Sequence, residues 1–147
     1  MGTYKDVKEN IKCIAILDTS ILFLIAQNLV KLDTILATVN GCILSIPIHV
    51  LNELNKLSSK STEKGRLAYW ILNNIVNNLN IISEDIAGCR TDEADCAIIE
   101  ISKKLGRIIR IVVLTADIEL KKRLIENGIE VVWYRKAKNR LEPSILV

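Results

Sequence analysis

The sequence predicts an α/β protein in which a parallel sheet is covered by helices on both faces. Five short apolar segments alternate along the chain with longer segments of helical periodicity. The apolar segments contain few polar residues, which is typical of parallel strands that are buried on both sides. The 147 residues, half of them hydrophobic, suit one domain with an aliphatic core, and they contain no repeat or linker.

Each predicted strand is a short apolar run that ends in turn or cap residues. The predicted strands are residues 12–18, 41–47, 80–83, 109–115 and 129–134. Asp18 follows the apolar part of the first run, and Pro47 closes the second. Polar residues 1–10 precede the first strand, and we expect them to be a disordered lead-in.

The predicted helices fill the intervals between the strands. They begin near Thr19, Asp33, Ile48, Thr62, Thr91 and Ala116. Proline is favoured in the first turn of a helix, and residues 48–59, just after Pro47, have apolar side chains at helical spacing. Thr91 is the expected N-cap of a helix that ends at Gly106.

The charge of the chain is mildly positive, with a net value of +3 and an isoelectric point of about 8.7. This is compatible with a polyanionic partner but does not establish one. Positive charges are concentrated in a C-terminal segment, residues 135–147, which we expect to be basic. They belong to Arg135, Lys136, Lys138 and Arg140. Phosphate contact and simple solubility explain this cluster equally well.

The four cysteines form no C-x-x-C pair, so we expect them to be small buried hydrophobic residues. With a single histidine, a zinc site made of cysteine and histidine is not expected. No signal peptide is recognisable. The most apolar run is interrupted by Asp18 and is too short to span a membrane. We therefore expect a cytoplasmic protein.

Carboxylates recur at corresponding places in the predicted fold. Asp18 ends the first strand, Asp117 follows the fourth, and Glu53 lies on the helix after the second. Asp92 and Asp95 are expected in the first turns of one helix, where a spacing of three places them on one face. Ligands of open α/β sheets bind outside the carboxyl ends of the strands. If strands one and four are neighbours, Asp18 and Asp117 face each other there.

Carboxylates packed within about 5 Å of one another repel and stay ionised together only if a cation compensates them. Oxygen ligands without histidine or cysteine suit Mg²⁺ or Mn²⁺, which assist phosphate chemistry. Ser20 and Thr115 lie beside two of the acids and could orient them by hydrogen bonds.

Structural roles also explain some of these acids individually. Asp92 could complement the helix macrodipole, and Asp117 could be an N-cap, although Thr115 could fill that role as well. Glu53 could simply lie on the surface. Asp18 is the least easily explained in this way, because the residues on both sides of it are apolar.

Four segments in order resemble the motifs of PIN-domain ribonucleases, and the resemblance extends from Ile11 to about Glu142. The segments are "AILDTSIL", "VLNEL", "EADCAIIEIS" and "VLTADIELKKRL", whose acids are Asp18, Glu53, Asp95 and Asp117. The ending "GIEVVWYRKAKNRLE" is similar to an archaeal branch of the family that includes proteins of ribosomal-RNA processing and VapC-type toxins.

The resemblance implies a three-layer α/β/α fold with a five-stranded parallel sheet in the order 3-2-1-4-5. It implies that the four acids hold one or two Mg²⁺ or Mn²⁺ ions, with Asp92 as an additional ligand. It also implies cleavage of single-stranded RNA, a homodimer, and an antitoxin or a pre-ribosomal particle as partner. Two alternatives stay open, namely a non-catalytic RNA-binding or ribosome-binding PIN scaffold and a phospho-receiver-like signalling domain.

Overall fold

The computed structural model describes residues 12–84 and 86–144, so the lead-in predicted for residues 1–10 lies outside the described part. The strands are β1 (Cys13–Leu17), β2 (Ile43–Pro47), β3 (Asn80–Ile82), β4 (Arg110–Thr115), β5 (Glu130–Arg135) and β6 (Arg140–Pro143). The α-helices are α1 (Thr19–Ala26), α2 (Leu32–Thr38), α3 (Ile48–Ser58), α4 (Glu63–Asn74), α5 (Ala94–Leu105) and α6 (Ile118–Glu126). A short 3-10 helix at Val76–Asn78 precedes β3.

The six strands form one sheet in the order β3-β2-β1-β4-β5-β6. The first five are parallel, which confirms the predicted order 3-2-1-4-5. The sixth strand is antiparallel to β5 and was not predicted from the sequence. The basic segment is therefore not a free extension, because Arg135 ends β5 and Arg140 begins β6. Strand β6 has charged residues and Pro143, as is usual for an edge strand, and so lacks the apolar pattern of the others.

The core surrounds the central strands β1 and β4. Ala15, Ile16 and Leu17 are successive residues of β1 and are all fully buried. Successive side chains of a strand point to opposite faces of the sheet, so both faces of β1 are covered. This burial confirms the three-layer α/β/α arrangement. None of the helices within residues 12–84 and 86–144 has the length and apolar character that a membrane crossing requires.

The cysteines are paired, and the prediction that they are simple buried hydrophobic residues was wrong. Cys13 is the first residue of β1 and Cys42 immediately precedes the neighbouring strand β2, with 4.4 Å between their Cα atoms. Cys89 and Cys96 form the second disulfide across the start of α5. Neither pairing follows from spacing alone, because strand register and loop shape bring the sulfur atoms together.

The start of α5 also differs from the prediction. The helix begins at Ala94, and the preceding residue Glu93 makes no side-chain cap hydrogen bond. Thr91 is therefore not the N-cap, and Asp92 lies in the loop rather than on a helix face shared with Asp95. The end of the helix agrees with the prediction, since Gly106 is its C-cap.

Candidate active site

Asp18 lies at the carboxyl edge of the sheet, between the ends of β1 and β4. Its backbone N–H donates to the carbonyl of Leu114 at 3.2 Å, which continues the β1–β4 pairing. Its side chain is reached from β4, because Thr115 Oγ1 donates to Asp18 Oδ2 at 2.5 Å. Strand order changes direction between β1 and β4, and this is where ligands of open α/β sheets bind.

The other oxygen of Asp18 caps α1. Oδ1 accepts from the backbone N–H of Ile21 at 3.0 Å and from Ser20 Oγ at 2.6 Å. The side chain is only 3% exposed. Burial raises the pKa of Asp18 to about 6, although the bonds from Ser20, Thr115 and Ile21 act in the opposite direction. The carboxylate is therefore well oriented but incompletely compensated.

The two hydroxyl groups tie Asp18 to the loop after β4. Ser20 Oγ accepts the N–H of Ala116 at 2.9 Å, and Thr115 Oγ1 accepts the N–H of Asp117 at 3.0 Å. Each hydroxyl thus donates to Asp18 and accepts a backbone N–H from the segment just after β4. The network fixes the Asp18 side chain and the start of α6 relative to each other.

Asp117 is the N-cap of α6. Its Oδ1 accepts from the N–H groups of Glu119 at 2.9 Å and Leu120 at 3.2 Å. Of the two cap candidates in the sequence, Asp117 is thus the cap, and Thr115 binds Asp18. Capping engages Oδ1 and does not exclude a second role for the carboxylate.

Asp95 is the acid through which the other three are connected. Burial raises the pKa of Asp95, and the negative charge of Asp117 raises it further. Asp95 in turn contributes to the raised pKa values of Asp18 and Glu53, in both of which burial is the larger cause. The charge of Asp95 thus acts on Asp18 and Glu53, and the charge of Asp117 acts on Asp95.

Glu53 is half-buried on α3, close to the first residue of α1. The Thr19 hydroxyl lies near enough to lower the pKa of Glu53, although the two side chains make no hydrogen bond of ordinary geometry. Thr19 Oγ1 is buried and has no hydrogen-bond partner among the described residues. A buried hydroxyl without a partner costs free energy, so this group is suited to an additional ligand or water in the site.

Two basic residues near the acids were missed by the sequence analysis. Lys64, at the start of α4, lowers the pKa of Glu53, and its Nζ lies 5.6 Å from the centre of the Phe23 ring. Arg123, on α6, lowers the pKa of Asp95. Arg123 is the last residue of a basic run, residues 121–123, and no spacing in the sequence relates it to Asp95. These two cations offset part of the negative charge and leave the pKa of both carboxyl groups raised.

Asp92 lies at the margin of this cluster. It forms an ion pair with Lys56 on α3, with 3.1 Å between Nζ and Oδ2, and a longer one with Arg90 at 3.8 Å. The bond from Lys56 holds the pKa of Asp92 below its usual value. Asp92 is thus already neutralised by protein cations, unlike Asp18, Glu53 and Asp95.

The donor set fits a hard divalent cation that keeps part of its water. The four acids offer only oxygen atoms, and burial and mutual repulsion oppose their charged forms. Within the described ranges, no three Asp, Glu, His or Cys side chains are close enough to ligate one ion directly. Mg²⁺ in proteins is commonly held by one or two carboxylates with several waters, and such an ion would be compatible with this spacing.

The family of the protein follows from comparison with known sequences. A family model described as "PIN like domain" matches residues 15–137, which contain all four acids. The chain belongs to the PIN-like family. No curated protein matches the chain.

Two solved structures superpose on most of this chain at low sequence identity. A domain of a functionally unknown protein from Methanocaldococcus jannaschii superposes with a TM-score of 0.62 at 17% identity, covering 89% of this chain and 96% of that one. A chain from the structure of VapBC2 from Rickettsia felis bound to a promoter DNA fragment superposes with a TM-score of 0.54 at 21% identity. The match covers 83% of this chain and 99% of that one. At these identities the comparison supports the shared fold alone.

The basic residues predicted for this PIN-like protein lie on the β5–β6 hairpin. Arg135 and Arg140 both approach Glu142, at 3.6 Å and 3.1 Å. Lys136 and Lys138 lie in the turn and are exposed. Among the described ion pairs, Glu142 is therefore paired with the two arginines and with neither lysine.

Proposed function

We propose that this PIN-like protein is a divalent-metal-dependent endoribonuclease that hydrolyses phosphodiester bonds in single-stranded RNA. The observation that supports the proposal most directly is a set of interacting acids that includes the buried Asp18, in which Asp95 raises the pKa of Asp18 and Glu53, and Asp117 raises the pKa of Asp95. Repulsion and burial make such a cluster unfavourable without a cation. Nuclease chemistry gives this arrangement a function, since phosphate transfer uses bound divalent ions.

In this proposal, Asp18, Glu53, Asp95 and Asp117 hold one or two Mg²⁺ or Mn²⁺ ions, some of them through water. Asp92 would contribute at most from an outer position, because Lys56 already neutralises it. Bound ions would offset the charge that develops on the phosphate and lower the pKa of the attacking water.

The residues of the chain contribute orientation and charge. Ser20 and Thr115 hold both oxygens of Asp18 in fixed directions, which reduces the reorganisation needed during reaction. Lys64 and Arg123, which act on Glu53 and Asp95, would also attract the RNA phosphate.

Further RNA contacts, away from the four acids, are proposed for the basic residues of the β5–β6 hairpin. These residues are Arg135, Lys136, Lys138 and Arg140. Such contacts would add affinity that depends on salt but carries no sequence preference. Lys136 and Lys138 are the stronger candidates, because both arginines already lie near Glu142.

The test is cleavage of a single-stranded RNA oligonucleotide by the purified full chain with Mn²⁺. We expect Asp18→Asn to abolish cleavage, because the amide keeps the shape of the side chain but removes the charge that attracts the ion. Asp33→Asn is the matched control, since Asp33 is an exposed acid in the first turn of α2. Full Mn²⁺-dependent activity in Asp18→Asn would overturn the assignment.

The same experiment separates the nuclease from a PIN-type scaffold that only binds RNA or ribosomes. A scaffold would bind RNA without cleaving it under any metal condition. The phospho-receiver alternative fits the fold less well, because a flavodoxin-like receiver has the strand order 2-1-3-4-5. Here β3 lies at the far edge beyond β2, and Glu84 after it pairs with Lys104 at 2.8 Å.

The biological role is proposed to be that of a toxin-type nuclease or of an enzyme of ribosomal-RNA processing. The structural similarity to a VapBC2 chain makes an antitoxin-type partner a reasonable proposal. Growth arrest on expression of the chain alone, relieved by the product of a neighbouring gene, would indicate the toxin role. Sedimentation with pre-ribosomal particles would indicate processing. Light scattering would test the expected homodimer.

A further inference from the structure

The loop before α5 is closed by a covalent ring. The Cys89–Cys96 disulfide joins the loop to the first turn of α5, with 5.7 Å between the Cα atoms. The ring encloses both Asp92 and Asp95. Since Glu93 makes no side-chain cap hydrogen bond, a cap does not hold this end of the helix, and other contacts must hold it.

Two such contacts come from α3, the helix that carries Glu53, in addition to the core packing of Ala94 and Ala97. Asn52 Nδ2 donates to the carbonyl of Thr91 at 2.8 Å. Lys56 Nζ donates to Asp92 Oδ2 at 3.1 Å. Asn52 and Lys56 are four residues apart, so they lie one above the other on α3 and reach successive residues of the loop.

We propose that Asn52, Lys56 and the Cys89–Cys96 disulfide form a clamp that holds Asp95 beside Glu53, and that reduction of the disulfide opens it. This inference rests on the proposed function, in which the two acids act on one ion. The two carboxylates repel each other, so without a constraint the first turn of α5 would move away from α3. The clamp opposes this movement by the hydrogen bonds from α3 and by the covalent ring.

The redox step is an ordinary thiol–disulfide exchange with a dithiol reductant. The Cys89–Cys96 bond takes up two electrons and two protons and becomes two thiols, while the reductant forms its own disulfide. Both cysteines are half-buried rather than fully enclosed, so the bond lies within reach of a reductant. The Cys13–Cys42 disulfide differs, because Cys13 is 5% exposed and lies at the start of a central strand.

The two disulfides provide matched variants, namely Cys89→Ser with Cys96→Ser, and Cys13→Ser with Cys42→Ser. In the first variant we expect amide hydrogen exchange in residues 90–97 to accelerate by roughly tenfold. We expect its affinity for Mn²⁺ alone to fall by about tenfold, a typical effect of losing support around a metal site. The second variant should match the wild type in both measurements.

Treatment of the wild type with a dithiol, verified by counting free thiols, should reproduce the changes of the Cys89/Cys96 variant. The same treatment should change nothing further in that variant. Unaltered exchange in residues 90–97 after verified reduction would overturn the clamp. If the wild type binds Mn²⁺, accelerated exchange with unaltered Mn²⁺ affinity would overturn it as well.

Lys56 tests the other side of the clamp. Lys56→Met should accelerate exchange in residues 90–97 and weaken Mn²⁺ binding, and Lys56→Arg should restore both. Lys60→Met is the control, since Lys60 is an exposed lysine just after α3. Because an exposed ion pair adds little to global stability, the melting temperature should barely move. Equal exchange and Mn²⁺ affinity in Lys56→Met and Lys60→Met would overturn the role of Lys56.

The exchange measurement needs neither metal nor RNA, which separates the two proposals. A wild type that neither binds Mn²⁺ nor cleaves RNA would overturn the proposed function. The exchange rates of the variants would still decide whether the clamp exists.

Discussion

Asp18 shows how one side chain serves both structure and site. Oδ1 caps α1, while Oδ2 is held by Thr115 from the neighbouring strand. Either role alone would be possible closer to solvent. The combination requires a buried carboxylate whose charge is disfavoured, and this is typical of residues kept for function rather than for stability.

We predict that Asp18→Asn stabilises the metal-free protein at pH 7. The folded pKa of about 6 lies above the ordinary aspartate value of 3.8, so ionisation of Asp18 costs roughly 2–3 kcal/mol at about 1.4 kcal/mol per pKa unit. Asparagine caps helices as well as aspartate does, so most of the cap is kept. Thermal unfolding in EDTA should show a melting temperature several degrees higher.

The gain should shrink as the pH falls towards 4, because wild-type Asp18 then becomes neutral as well. Asp33→Asn should show no such gain, since Asp33 is exposed. An unchanged or lower melting temperature for Asp18→Asn at pH 7 would contradict the idea that the buried charge is costly.

At the scale of elements, the α3–α4 hairpin depends on one glycine. Gly65 lies in the first turn of α4, and its N–H donates to the Thr62 cap at 3.0 Å. A Cβ atom on this residue would lie 2.1 Å from the carbonyl oxygen of Lys60 and 2.8 Å from that of Leu57. Glycine thus permits the start of α4 to pack directly on the end of α3, the helix that carries Glu53.

We predict that Gly65→Ala lowers the free energy of unfolding by about 2–4 kcal/mol, because backbone atoms cannot move aside as a flexible side chain can. This would occur although alanine favours helices more than glycine does. Urea denaturation gives the measurement, with Asn73→Ala on the exposed side of α4 as the control. Equal effects of the two substitutions would mean that the close approach is not a constraint.

The elements also show where sequence patterns are reliable. Buried parallel strands such as β1 and β4 have continuous apolar runs, so they are recognisable without knowledge of their neighbours. Strand β6 was not predicted because its pattern is weak, whereas the start of α5 was mispredicted although Thr91 and the acids after it are a common start signal. Strand β6 pairs with β5 only, at the edge of the sheet. Thr91 does not cap α5, and its carbonyl instead accepts a hydrogen bond from Asn52 on α3.

At the scale of the whole molecule, the acid cluster links stability to pH and to metal. The folded pKa of Asp18 is raised, so its contribution to stability is fully present below its unfolded pKa of 3.8. It is lost as the pH rises through about 6. The raised pKa values of Glu53 and Asp95 act in the same direction. The lowered pKa values of Asp92 and Glu142 act in the opposite direction, but both carboxyl groups are partly open to solvent and should contribute little.

We therefore predict that the metal-free protein becomes more stable as the pH falls from 7 to 5. Mn²⁺ should raise the melting temperature at pH 7, where the acids are ionised, and much less at pH 5, where protons compete. Thermal melts at both pH values, in EDTA and in Mn²⁺, measure this. An Asp18→Asn protein should lose most of the Mn²⁺ effect, and an equal Mn²⁺ effect in both proteins would contradict the site.

The sequence by itself determined the alternation of strands and helices, the position of Asp18, Asp95 and Asp117 near strand or helix ends, and that of Glu53 on the helix after β2. Apolar periodicity and caps are local properties of the chain, so they can be identified without the fold. The tertiary structure alone decided that Asp95 acts on both Asp18 and Glu53 and that Lys56 neutralises Asp92. It also decided which cysteines pair. These facts depend on which distant segments become neighbours, and no spacing along the chain specifies that.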